Sequence, residues 1–392
     1  MIGLFLATVI NFDIIYIIFN LILLLVFYIA GINVYRGKPY WDNAWVCCIT
    51  FILIVGSRLN RGIDYIHYVD VFTKDIDINQ PYFNLFNSFL KNTLMIGKYA
   101  IFYIYAIPFI YGAFKLFQNY RNYSLYLFPS FLVCMQFFEE EFPRQAFSFS
   151  FVFFFINEFI NNNHCKIRKW FLCLLYAFLT ISMHTVNVIF IIAFLIIFFS
   201  SKRVFSYKLT IPILIFASYF FFNYYDITYV QPLLVLIGST NPKFNHYIEG
   251  DAAEAWFGEN ALQLDNARNP IILLLEILAN SSLFYFAYKE IRQKAGVNDI
   301  RIKALITITN LYIIGHITRN AFLYLELINR MASLFQRMWF MPYAFVIMNN
   351  KFNKLNFVEK LAYLSMIFLF YDYIKYLFAP RQGMTSFLWD LL

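Results

Sequence analysis

The residues with chemistry to offer gather in four short clusters. The first is Gly56-Ser57-Arg58-Leu59-Asn60-Arg61-Gly62-Ile63-Asp64-Tyr65-Ile66-His67-Tyr68. Wound as a helix, it puts Arg58, Arg61, Tyr65 and Tyr68 on one face. Guanidinium groups grip phosphate or carboxylate through paired hydrogen bonds, tyrosine rings stack on sugars, and Asp64 stands beside them as a base. An Arg–Asp pair inside an aromatic interfacial belt is the competing, structural reading. The second cluster is Glu139-Glu140-Glu141-Phe142-Pro143-Arg144-Gln145. Pro143 suits the first position of a helix, so Arg144 falls in its first turn, against the helix dipole. Either Glu141 offsets it at i,i+3, or free N–H groups and a guanidinium together make an anion site.

The third cluster, Ser182-Met183-His184-Thr185, is a tight turn between two apolar runs. His184 can accept a proton near neutral pH, against the plainer role of a hydrogen-bonded structural histidine. The fourth gathers Arg319, Glu326, Arg330 and Arg337. Arg330 and Arg337, seven apart, line one helical face, and Arg337 lies two turns inside an apolar run, where an unpaired charge is costly. Glu326–Arg330 at i,i+4 is the ordinary salt-bridge alternative. His316 and the intramembrane Glu276 are weaker candidates. Asp75-Ile76-Asp77 is a D-x-D, a pairing that many glycosyltransferases use to hold a metal but that is frequent by chance. No HExxH, Walker loop, GxSxG or Rossmann glycine pattern occurs. No metal site or cofactor is expected.

The elements that must position these groups are membrane helices. Of 392 residues, 61% are hydrophobic and only 14% charged, with 50 Phe and 30 Tyr, and the mean hydropathy is +0.60. Soluble domains carry roughly 25% charged residues. Apolar runs near the ~20 residues needed to cross hydrocarbon occur at 10–31, 99–118, 143–160, 209–226, 270–288, 331–349 and 356–379. Shorter ones lie at 43–57, 123–139, 168–183, 185–200 and 304–318. The expectation is an all-α, polytopic transmembrane bundle of about twelve spans, one integral membrane domain over residues 1–392. Two longer outer loops follow, 58–98 and 227–268, and apolar spacing over Tyr82–Leu94 predicts a helix lying flat at the interface. The first run, with no basic residue before it and no small-residue cleavage site after it, reads as a retained helix. Cys47, Cys48, Cys134, Cys165 and Cys173 have no CxxC spacing and read as packing residues.

Charge sets the orientation. With 31–43 cytoplasmic, alternation makes 115–122, 161–169, 201–208, 289–303 and 350–360 cytoplasmic too, and these loops hold 18 of the 31 basic residues. Both termini then lie outside. The inner loops are rich in Lys, whereas eight of the thirteen outer basic residues are Arg, the better residue for phosphate; pairing with outer acids is the alternative. The net charge of +8 is explained by the inner loops, so no nucleic acid is expected as a partner.

At these residues the chain resembles the EpsG-like family, related to Wzy-type O-antigen polymerases. Arg58, Gly62, Asp64, Tyr65 and Tyr68 match its Arg…Gly-x-Asp-Tyr…Tyr motif, Arg144-Gln145 its Arg-Gln element, and His184 its histidine between two short spans. Ala146 follows Arg144-Gln145 directly, where the family's small residue often comes later. The matching order covers residues 40–200; the C-terminal half is similar only in hydropathy and late arginines. The resemblance implies a glycosyltransferase that polymerises undecaprenyl-diphosphate-linked oligosaccharide units, donor and acceptor both, into O-antigen or another surface polysaccharide. It implies the periplasmic face of a bacterial inner membrane, with membrane lipids and a chain-length regulator as further partners. On that reading Asp64 or His184 is the base and transfer is metal-independent and inverting. Arg58, Arg61, Arg144, Arg330 and Arg337 bind the diphosphate groups, Tyr65 and Tyr68 contact sugars, and Gln145 and Arg319 join the substrate-binding set. Rival readings are a lipid-linked oligosaccharide flippase, a metal-dependent glycosyltransferase using Asp75 and Asp77, and, more remotely, a membrane acyltransferase using His184 or His316.

Overall fold

The computed structural model describes residues 2–59, 61–62, 64–78, 80–161, 165–221, 269–294, 299–322, 326–378 and 386–387. The expected second outer loop, 227–268, lies outside the described residues, as do both chain ends and the side chain of Glu326. Among those described, the chain is helical apart from loops and one two-residue pairing, Arg58–Leu59 with Ser386–Phe387.

Each of the twelve apolar runs falls on helix where it is described. Helices α1 (Ile2–Tyr35) and α2 (Tyr40–Gly56) form a hairpin. The first of the two expected outer loops carries α3 (Tyr65–Lys74) and α4 (Pro81–Ser88), the latter continuing as a π-turn to Thr93. Then come α5 (Ile101–Phe117), α6 (Ser124–Glu141), α7 (Pro143–Ile160), α8 (Lys166–Met183), α9 (Val188–Ser200) and α10 (Tyr207–Phe216). The C-terminal part has α11 (Pro270–Lys294), α12 (Ile300–Ala321), α13 (Glu326–Gln336), α14 (Phe340–Asn349), α15 (Phe357–Ser365) and α16 (Tyr371–Phe378).

The expectation of about twelve crossings goes further than these helices do. Five are long and apolar enough to cross a membrane: Ile14–Tyr35, Ile101–Glu141, Pro270–Ile291, Ile300–Ala321 and Phe357–Phe378. Three shorter apolar helices accompany them, Tyr40–Gly56, Thr185–Ser200 and Tyr207–Tyr219. The remaining runs are not among them; 331–349, for instance, carries Arg337 in a 3-10 turn at Arg337–Trp339.

Outward faces are apolar: Leu174 is 70% exposed, Ile367 74% and Phe357 75%. Such a surface suits lipid, where it costs nothing, and not water. Since lipid is as apolar as a core, cohesion must come from packing and buried hydrogen bonds. The interior supplies both. Phe109, Phe131 and Phe153 meet with ring centroids about 6 Å apart, each such pair contributing about 0.5–1.5 kcal/mol. Gly315 lets α12 and α13 touch, since a Cβ there would stand 2.5 Å from Phe335 Cβ.

Several segments that charge assigns to one side meet in the structure. The Tyr120 hydroxyl donates to Arg301 O at 2.9 Å, Lys303 sits 4.2 Å over the Phe198 ring, and Lys289 pairs with Glu359 at 2.6 Å. Stretches 115–122 and 289–303 touch one another, as do 289–303 and 350–360, and Lys303 reaches the end of α9. The candidates Arg58, Arg61, Asp64, Arg144, His184 and Arg330 are linked to one another or to the 139–141 glutamates.

Candidate functional site

The first cluster is not one helix. Ser57 Oγ hooks back to Leu53 O as α2 ends, Arg58–Leu59 runs extended, and α3 starts only at Tyr65 with Asp64 before it. Gly62 makes this path possible. Its φ of +106° is the left-handed region, and a Cβ there would stand 2.0 Å from Glu140 O; only glycine fits. The segment is therefore pressed against the end of α6.

That contact changes the reading of two arginines. Arg58 is 2% exposed and donates to Glu139 Oε2 at 3.0 Å, with further bonds to the carbonyls of Val55, Glu139 and Glu140. Arg61 donates from Nε to Glu140 Oε2 at 3.2 Å and lies 3.3 Å over the Tyr16 ring. Glu140 also accepts from the hydroxyls of Tyr16 and Tyr376 and from Gln136 Nε2. Arg58 and Arg61 were expected to hold diphosphate; instead their charges are met by two buried glutamates. They tie the outer loop to α1, α6 and α16. Tyr65 likewise departs from its expected sugar contact: it is 1% exposed and stacked on Phe102 at 4.2 Å. Gln145 clamps the turn after α8, bonding to Asn187 through side chain (3.4 Å) and carbonyl (2.7 Å). It holds the turn that carries His184.

The remaining cations converge on a cavity of about 370 Å³. Arg319, Arg330 and Arg337 line it, facing Glu141, Asp372 and Lys375. Its walls are the broken stretches of chain: the 3-10 turn at Arg337 and a second at Met366–Phe370, whose rings meet (Trp339–Phe370, 5.6 Å). Irregular backbone at membrane depth is tolerated where it lines such a space. Arg319 bonds through Nη1 to Gln336, which in turn meets His316 Nδ1 at 3.0 Å; Arg337 lies 5.0 Å over the Phe138 ring. Nε of Arg319 and of Arg337 is buried without a hydrogen-bond acceptor.

Beside the cavity, Arg144 lies 5.7 Å over the Tyr68 ring and 5.5 Å over that of Phe83, with Nε and Nη1 also lacking an acceptor. Arg144 and Arg330 both act on Asp64, Tyr68 and His184, joining the rim to the cavity. Burial raises the Asp64 carboxyl above its ordinary value, outweighing the pull of Arg330, His67 and Arg144. His184 goes the other way: burial and those two arginines push it down to about 3. Asp64 is therefore the stronger base of the two, its carboxyl lying above 3.8 and the imidazole at about 3.

Asp75 and Asp77, the metal-binding alternative, are engaged otherwise. Asp75 pairs with Lys91 at 2.5 Å and Asp77 accepts from Asn84 at 2.6 Å. Among the described residues no group of three or more His, Cys, Asp and Glu could hold a metal ion.

Sequence reasoning passed over Asp372, Lys375 and Tyr376, which wall the cavity from α16. The signal was present: an Asp and a Lys three apart inside an apolar run, where ionisable residues are functional by default. The role of Tyr16 had no such signal, since one tyrosine in an apolar helix is unremarkable.

No curated protein and no solved structure matches the chain. The sequence model described as the EpsG family does, over residues 43–387, a stretch that contains the whole cavity and its rim; the protein therefore belongs to the EpsG family, whose members are Wzy-like polymerases.

Proposed function

We propose that the protein polymerises oligosaccharide repeat units carried on undecaprenyl diphosphate at the periplasmic face of a bacterial inner membrane, with the Arg319–Arg330–Arg337 cavity as the diphosphate site. One observation carries this reading: guanidinium groups from α12, α13 and the 3-10 turn after it line a common space, two of them, Arg319 and Arg337, with a buried Nε that has no acceptor, and Arg144 beside the cavity holds two more such N–H groups. A buried donor without a partner costs about 1–3 kcal/mol. A diphosphate, rich in acceptors and negative charge, relieves that cost and is held by charge-assisted bonds.

The chemistry follows from the leaving group. A hydroxyl of the acceptor sugar attacks the anomeric carbon of the donor glycan. The new C–O bond forms as the anomeric C–O bond to phosphate breaks, and the diphosphate departs with the electron pair. Arg319, Arg330 and Arg337 stabilise the charge that develops on it. Asp64 takes the hydroxyl proton. Attack opposite the leaving group inverts the anomeric centre, and no step needs a metal. His184, neutral, orients the acceptor through hydrogen bonds. Phosphate charge arriving beside Arg144 and Arg330 offsets the cations that suppress its protonation, so its basicity rises on binding. Arg58 and Arg61 position the loop that carries Asp64.

The test is a reconstituted reaction of purified protein with one defined undecaprenyl-diphosphate oligosaccharide, resolved as a ladder. The wild type should extend chains. Arg337→Ala and Arg144→Ala should insert normally in membranes yet lose extension by 100-fold or more, the order seen when a transition-state charge donor is removed. Normal polymer length in both variants contradicts the assignment.

A further inference from the structure

We propose that the cleft between the end of α3 and α4 is an oligosaccharide subsite, which holds the sugars of the substrate that extend away from the lipid diphosphate. This rests on the polymerase reading above. The cleft measures about 660 Å³, inside the roughly 300–1,000 Å³ range of small-molecule sites. Its polar lining is Asp75, Asp77, Asn84, Asn87, Ser88 and Asn92.

The lining selects for hydroxyl groups. Neutral amides and a hydroxyl offer both donors and acceptors, the complement of a sugar's own groups. Anionic ligands are disfavoured, because Lys91 is already closed onto Asp75 at 2.5 Å and Thr73 O at 3.0 Å. Two side chains are held ready. Asn87 is 7% exposed and spends its Oδ1 on the Tyr105 hydroxyl at 2.7 Å, leaving its amide N–H groups for the cleft. Asn84 spends its Nδ2 on Asp77, leaving Oδ1 buried and without a partner. Three residues apart on one helix, the pair presents a donor and an acceptor on the same face.

The cleft also lies where a glycan would reach. Helix α3 has ten residues, about 15 Å at 1.5 Å per residue. Asp64 at its start stands by Arg144 and Arg330, and Asp75 at its end lines the cleft. Helix α4 is braced against the same rim, with the Phe83 ring under Arg144 and against Tyr68 at 6.3 Å. A glycan whose diphosphate sits at the arginines therefore has a path along α3.

The experiment uses the full chain in nanodiscs and, as probe, the lipid-free oligosaccharide released by mild acid from the lipid-linked repeat unit. Binding is read by saturation-transfer NMR and titration calorimetry. The wild type should bind it saturably. Asn87→Leu and the double variant Ser88→Leu/Asn92→Leu should each weaken it at least tenfold and shorten the polymer ladder. Arg337→Ala should keep oligosaccharide binding while losing the ladder. If the wild type binds no probe, or both cleft variants bind it normally, the subsite is overturned even where Arg337→Ala abolishes the ladder. If Arg337→Ala polymerises normally while the cleft variants lose the probe, the subsite stands and the diphosphate assignment falls.

Discussion

Replacing Arg58 by Met should damage this protein more than replacing Arg58 and Glu139 together. Arg58 is 2% and Glu139 0% exposed, and their 3.0 Å contact is sealed from solvent. Removing one partner from such a pair typically costs about 3–5 kcal/mol, because the other charge stays buried and unanswered; replacing both by apolar groups is often neutral. The two single variants should differ. In Glu139→Leu the guanidinium keeps the carbonyls of Val55, Glu139 and Glu140 as acceptors, so a loss near 3 kcal/mol is expected. In Arg58→Met, Glu139 loses its cation while its Oε1 already lacks a partner, so the loss should approach 5 kcal/mol. The double variant Arg58→Met/Glu139→Leu should sit within about 1 kcal/mol of wild type, a coupling of several kcal/mol. Equilibrium unfolding in mixed micelles reads the stabilities, and the ladder assay reads function. Partial recovery of polymerisation in the double variant marks Arg58 as a positioning residue. Additive losses, with no coupling, would refute the reasoning, and so would a fully stable double variant with no activity, which would return Arg58 to the reaction itself.

Other expectations follow from the same geometry. Asp64→Asn should abolish extension while His184→Gln, which keeps a neutral hydrogen-bonding side chain, should retain a measurable part of it; the reverse order would exchange their roles. In the pH profile, activity should be lost as pH falls through the Asp64 carboxyl, at a pH above the ordinary value of 3.8. His184, held at about 3, should add no limb near neutrality in the unliganded enzyme. For stability the histidine's sign is fixed: its folded value lies below the unfolded 6.5, so its contribution is complete above pH 6.5 and declines as pH falls toward 3. His184→Gln should flatten that decline in a thermal-shift series. Gly62→Ala should be far worse than an ordinary loop substitution, since its Cβ meets Glu140 O at 2.0 Å with φ at +106°; a folded, active Gly62→Ala protein would contradict the loop path.

Helix positions were legible because apolar runs of membrane length leave few alternatives. The site was legible in part. His184, Arg144 and the late arginines announced themselves as polar groups at membrane exits, and the structure brings them together. What local pattern could not convey was pairing across the sequence. Arg58 and Glu139 are 81 residues apart, and nothing in either neighbourhood tells a guanidinium that waits for phosphate from one already holding a glutamate. The same limit hid α16, whose Asp372 and Lys375 matter only because that helix closes the cavity. Helical spacing over Arg58–Tyr68 misled for a local reason: Gly62 turns the chain before α3 begins.

Occupation of the Arg319–Arg330–Arg337 cavity by a lipid diphosphate is tested most directly by binding of undecaprenyl diphosphate itself, without any requirement for turnover. Equilibrium titration into nanodiscs should show saturable binding by the wild type. Each of Arg319→Gln, Arg330→Gln and Arg337→Gln should weaken it by roughly 10- to 100-fold, about 1.5–3 kcal/mol per lost charge-assisted bond, and undecaprenyl monophosphate should bind less tightly than the diphosphate. Equal affinity in wild type and in all three variants would contradict the account.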